Sequence, residues 1–188
     1  MKSIKKKSAR RMCIGGLLLA AGVLLPQVFH MAGGPGLGGT FLPMHIPVFI
    51  AGMLLGDFYG LSVGLLTPVL SFLLTGMPPF ARLPFMIVEL AVYGWVSGLA
   101  AHRRMPVLVS LVVAQIAGRV AYGGALFVGV GLFGVNISPI AAVTAALVAG
   151  LPGIALQLIA IPPLVIFIRK RVMHVETVGD ECARTDGA

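Results

Sequence analysis

Six stretches of the chain are dominated by apolar residues, at about 12–31, 43–56, 58–76, 82–101, 106–131 and 139–168, and only short polar or glycine-rich segments separate them. Most of them reach the roughly 20 residues that an α-helix needs to cross the hydrocarbon core of a bilayer. The second and third are divided by Gly56-Asp57, where glycine and a carboxylate interrupt the run. The pattern predicts an all-α integral membrane protein built as a six-transmembrane-helix bundle.

Composition strengthens that reading. Of 188 residues, 58% are apolar and 11% are charged, and the mean hydropathy is +1.01. A water-soluble domain carries roughly 25% charged residues. These figures exclude a soluble enzyme, a receptor with an ectodomain and a transporter that carries its own ATPase. The expected organisation is a membrane domain over 1–171 followed by a polar cytoplasmic tail over 172–188 that frays.

The net charge of +8 would suggest nucleic acid in a soluble protein, but here the placement of the charges decides. Lys2, Lys5, Lys6, Lys7, Arg10 and Arg11 precede the first apolar stretch, Arg103-Arg104 lie between the fourth and fifth, and Arg169-Lys170-Arg171 and Arg184 follow the sixth. The opposing connections, at about 32–42, 77–81 and 132–138, contain no lysine or arginine. By the positive-inside rule, six spans then put both the N- and C-termini in the cytoplasm, with no nucleic-acid partner. A basic start before an apolar run also describes a signal peptide, but five further spans favour a retained first helix. Cys13 and Cys182 have neither disulfide context nor metal-ligand spacing.

Several positions stand out against the apolar background. Gly16 and Ala20, four residues apart on the first helix, open a groove that suits either packing within the bundle or docking of another membrane subunit. Gly34, Gly36 and Gly39 match G-x-G-x-x-G by accident, because no βαβ unit surrounds them, and the 33–40 stretch is expected to be a flexible external loop. Pro43 and Pro47 flank His45 and place it near the outer interface; Met44-His45 alone is a poor metal site.

Glu89 and Arg119 lie well inside the fourth and fifth helices. Charges at that depth face the bundle interior and have partners. Arg82, Met86, Glu89 and Tyr93 share one helical face, as do Gln115, Arg119 and Tyr122. A Glu89–Arg119 ion pair fits either a structural clasp or part of a ligand pocket. The sixth helix opens with Asn136-Ile137-Ser138-Pro139, is expected to kink at 150–153, and carries Gln157 at depth.

LPMHIPVFIAGMLLG at 42–56, LLTGMPPF at 73–80, VELAVYGWVSGL at 88–99, AGRVAYG at 117–123 and AGLPGIALQLIAIPPL at 149–164 together resemble the substrate-binding (S) component of energy-coupling factor (ECF) transporters, the ABC-type vitamin importers of prokaryotes. The resemblance implies a six-helix bundle that captures a water-soluble vitamin or related molecule near the outer face. It also implies docking through small residues of the first helix, here Gly16 and Ala20, onto a transmembrane coupling subunit driven by two cytoplasmic ATPases. No cofactor is implied in this chain, which lacks a G-x-x-x-x-G-K-[ST] loop; ATP is used by the partners. His45, Arg82, Glu89, Tyr93, Arg119, Tyr122, Asn136 and Gln157 are the candidate substrate-binding residues, with no catalytic or metal site. They suit a polar organic molecule with an anionic group and leave pantothenate, a corrinoid and a queuosine precursor all open. The competing readings are a stand-alone small-molecule carrier or channel and, less well supported by the few carboxylates, a membrane enzyme.

Overall fold

The structure is a computed structural model that describes the backbone of residues 2–133 and 139–185 and the side chains of 9–31, 41–131, 140–141 and 143–170. Its elements are α1 (Lys2–Phe41), α2 (His45–Leu55), α3 (Asp57–Thr75), α4 (Leu83–His102), α5 (Val107–Phe133) and α6 (Pro139–Thr185). Five of these contain a membrane-length apolar segment: Ala9–Met31, Asp57–Thr75, Leu83–His102, Val107–Gly131 and Val143–Lys170. The outward faces carry Leu17, Leu24, Phe58, Leu73, Phe127 and Ile159, all largely exposed. Large apolar side chains displayed over so much of the surface belong against lipid rather than water. The molecule is a membrane helical bundle.

α1 differs from the expected helix over 12–31 and loop over 33–40, since helical hydrogen bonding continues to Phe41. A straight helix would separate Phe29 and Phe41 by about 18 Å, yet their ring centroids are 5.8 Å apart. The path therefore turns back on itself between them. The intervening segment is rich in glycine and contains Pro35, residues that disfavour a straight helix. The flanking turns stay helical because a bilayer offers their backbone groups no other partner.

α6 likewise runs past 168 and through the segment expected to fray, to Thr185. Extending an existing helix adds a hydrogen bond per residue without a new nucleation cost. α6 is not broken at 150–153 and continues across Pro162 and Pro163.

Consecutive helices alternate in direction. Gly15 of α1 faces Leu55 and Tyr59, while Gly22 faces Thr67, so α1 runs alongside α3 and against α2. Arg169 Nη2 on α6 donates to the Met53 carbonyl at 2.9 Å, and His102 Nδ1 lies 3.6 Å from Asp57 Oδ1. Arg169 caps a carbonyl in the last turn of α2, where cations are favoured. These contacts gather the Arg103-Arg104 turn, Arg169 and the N-terminal part of α1 at one end of the bundle.

α2 is the shortest helix and the most enclosed. Its 11 residues cover about 16 Å, half of a hydrocarbon core. Nine of them are buried, including Val48, Phe49, Ile50, Ala51 and Met53. Its C-terminus reaches the basic end at Leu55, so its N-terminus begins at mid-depth.

Glycine determines how α3 and α4 meet. Gly56 takes φ of 105°, where a side chain would be strained, and lets α2 turn directly into α3. Gly60 lies against the Gly94 carbonyl and Gly64 against that of Leu90, while Gly98 lies against the backbone of Asp57. Small residues four apart on both helices, at 56, 60 and 64 and at 94 and 98, permit this approach.

Candidate functional site

Every charged and amide side chain buried among the described residues of α4, α5 and α6 lies in one layer at the N-terminus of α2. Glu89 is six residues into α4, about 9 Å along it, and Tyr93 is one turn further. Glu89 Oε1 accepts a hydrogen bond from the Tyr93 hydroxyl at 2.7 Å and lies 3.1 Å from Arg119 Nη1 on α5. Both members of this ion pair are shielded from solvent, with side chains 5% and 13% exposed.

One turn from Arg119, Gln115 Nε2 donates to Gln157 Oε1 of α6 at 3.0 Å. Gln157 Nε2 in turn reaches the Leu42 carbonyl at 3.4 Å, just ahead of α2. Burial makes such bonds important, because an unpaired buried amide costs about 1–3 kcal/mol. The two pairs link α4 to α5 and α5 to α6, and the Leu42 contact ties the start of α2 to both.

His45 completes the layer. It is 2% exposed, its ring centroid is 5.2 Å from that of Tyr93, and Phe49 approaches the same tyrosine at 4.9 Å. The Leu42 carbonyl lies beside the imidazole, yet neither ring nitrogen makes a hydrogen bond of acceptable geometry. Arg119 Nε is also buried without a partner. The layer thus holds a satisfied ion pair and a satisfied amide pair, together with three uncommitted nitrogen positions.

His45 was expected near the outer interface, and the structure places it at mid-depth instead. The reason is the shortness of α2: a helix that spans half the core and ends at the basic end starts in the middle. Glu89, Tyr93, Arg119 and Gln157 come together with it. Tyr122 stands aside, half-buried, with its ring edge-on to Phe85 at 6.3 Å and within electrostatic reach of Glu89, Arg119 and Arg82. Arg82 precedes α4, is exposed, and makes no contact with the buried layer. Asn136 lies outside the described residues.

Three further participants were not among the candidate site residues. Gln115 shares the Arg119 face, and its position four residues away was the available signal. Gly118 lies so close to Tyr93 that a Cβ would run into the ring, and a Cβ at Gly150 would lie 2.9 Å from Arg119 Nη2 and 3.1 Å from Leu42 Cδ1. These glycines give the tyrosine and guanidinium their room. Gly16 and Ala20 sit on the opposite kind of surface: both are exposed, and nothing lies within 4 Å of a Cβ added at Gly16. Gly15, Gly22 and Val23 face the bundle instead.

The fold and this layer define a helical membrane protein with a polar site inside its bundle. Residues 10–165 match the family model for the ECF transporter substrate-specific component, and the chain belongs to that family. It is a multi-pass component of a transporter, and the family is not one of enzymes. No curated protein and no solved structure matches the chain.

Proposed function

We propose that this chain captures a water-soluble vitamin or a related small molecule from outside the cell and delivers it inward when coupled to a transmembrane subunit and two cytoplasmic ATPases. The observation that carries the substrate reading is the polar layer at the start of α2. It brings residues from α2, α4, α5 and α6 together, and leaves His45 and Arg119 with buried hydrogen-bonding positions uncommitted. Buried polar atoms are normally paired, and a bound solute entering from above the layer supplies the missing partners.

In this reading all six helices count as spans, with α2 crossing the inner half and the folded-back end of α1 leading into it. The end that gathers Arg169, Arg103 and the basic start of α1 faces the cytoplasm. The exposed Gly16–Ala20 face of α1 receives the coupling subunit, since its small residues are unused by this bundle. ATP hydrolysis by the partners moves the loaded subunit so that the layer opens inward.

The test is mass spectrometry of small molecules released when the purified protein is denatured, set beside the paired substitution Glu89→Gln/Arg119→Met. The wild type releases a small polar molecule, and the folded double variant releases none. Equal release from both would remove the layer from substrate binding.

A further inference from the structure

Arg82 was assigned to the substrate and does not reach the buried layer; its surroundings indicate another ligand. It stands immediately before α4, exposed, with no ion-pair partner among the described residues. Two residues further along the chain the seam between α4 and α5 forms an open groove, whose lining includes Pro84, Phe85 and Val88 on one side and Gly124, Val128 and Gly129 on the other. All of these are apolar or glycine. Val88 and Val128 are exposed, so the groove faces the surrounding hydrocarbon.

The groove is open at Gly124, where nothing lies within 4 Å of an added Cβ, while the Phe85 ring covers Gly129. On α4 the lining covers about 6 Å of helix and on α5 about 12 Å. That is too short for a partner transmembrane helix, which would need a small-residue stripe along most of a 30 Å span. A single flexible hydrocarbon chain fits it. Arg82 stands two residues before Pro84, the first lining residue of α4, so a cation lies near that end of the groove. A cation at the membrane interface attracts anionic headgroups, at about 1 kcal/mol per Lys or Arg.

We propose that this groove holds one acyl chain of an anionic phospholipid whose phosphate is bound by Arg82. A cation near one end and an open apolar groove beside it select this occupant. The proposal is independent of which solute the protein carries, because it uses none of the buried layer.

Native mass spectrometry of the full chain in detergent, titrated separately with dioleoyl phosphatidylglycerol and dioleoyl phosphatidylcholine, tests it. The wild type retains the anionic lipid about fivefold better, the ratio that one interfacial cation supplies. Arg82→Ala brings the two lipids level. Gly124→Leu fills the groove and reduces retention of both, whereas Gly131→Leu, equally free of neighbours and outside the lining, leaves retention unchanged. Equal retention of the two lipids by the wild type would overturn the proposal, as would anionic-lipid retention that survives both Arg82→Ala and Gly124→Leu. A dimer peak abolished by Gly124→Leu would make the groove a self-association face and overturn it too.

Discussion

Glu89 and Arg119 show why a buried charge in this protein is informative only together with its neighbours. Glu89 has a hydroxyl and a guanidinium on the same oxygen, and Arg119 is fixed between that oxygen and the wall formed by Gly150. Removing one partner of such a pair leaves an uncompensated charge and costs about 3–5 kcal/mol, while replacing both with neutral groups of similar volume is often tolerated. Arg119→Met alone is therefore expected to lower thermal stability sharply in detergent, and Glu89→Gln/Arg119→Met to recover most of the loss. If the double variant is as unstable as the single one, the pair is not the unit described here. The pairing itself was legible in the sequence, because two opposite charges inside apolar helices have few other places to go. Gln115 was legible as a face but not as a bond: its acceptor, Gln157, is 42 residues away, and only the α5–α6 register brings the amides together.

At the scale of elements, glycine spacing did more than hydropathy to determine packing. Apolar runs located the helices to within a few residues for α2 through α5, but they cannot say which faces touch. Gly56, Gly60 and Gly64 opposite Leu90, Gly94 and Gly98 carry that information, and the four-residue spacing was present in the sequence. Gly60→Ala drives a methyl group into the Gly94 carbonyl, so a loss of about 1–3 kcal/mol in stability is expected. Gly131→Ala, which has open space, serves as the control and should melt with the wild type.

The depth of α2 was not legible, and His45 was misplaced as a result. Hydropathy reports that a segment is apolar, not where along the membrane normal it begins. Two facts outside the segment fix it: α1 folds back before Phe41, and Arg169 and Asp57 hold the Leu55 end among the basic groups. The Gly33–Pro35 stretch looked like a simple loop because glycine and proline mark loops in water. In a bilayer the same residues stay within a helix, because their backbone groups have nothing else to bond.

For the whole molecule, alternating helix directions and the gathering of basic residues at one end lead to a definite orientation. In a background lacking Cys13 and Cys182, a cysteine at Phe80, which is 75% exposed, should react with an impermeant maleimide added outside intact cells. A cysteine at Arg104 should react only after permeabilisation. The reverse pattern would invert the bundle and remove the proposed face for capture.

The central claim is that this chain binds its solute but depends on partners to move it. Family membership, the exposed Gly16–Ala20 face and the enclosed polar layer all support that division of labour. The most direct test is solute uptake into proteoliposomes, using the molecule released from the purified protein, with this chain either alone or assembled with the coupling subunit and ATPases. Uptake is expected only with the partners and ATP, and Gly16→Leu/Ala20→Leu should abolish it while leaving the released molecule bound. Uptake by the chain alone, without ATP, would contradict the account.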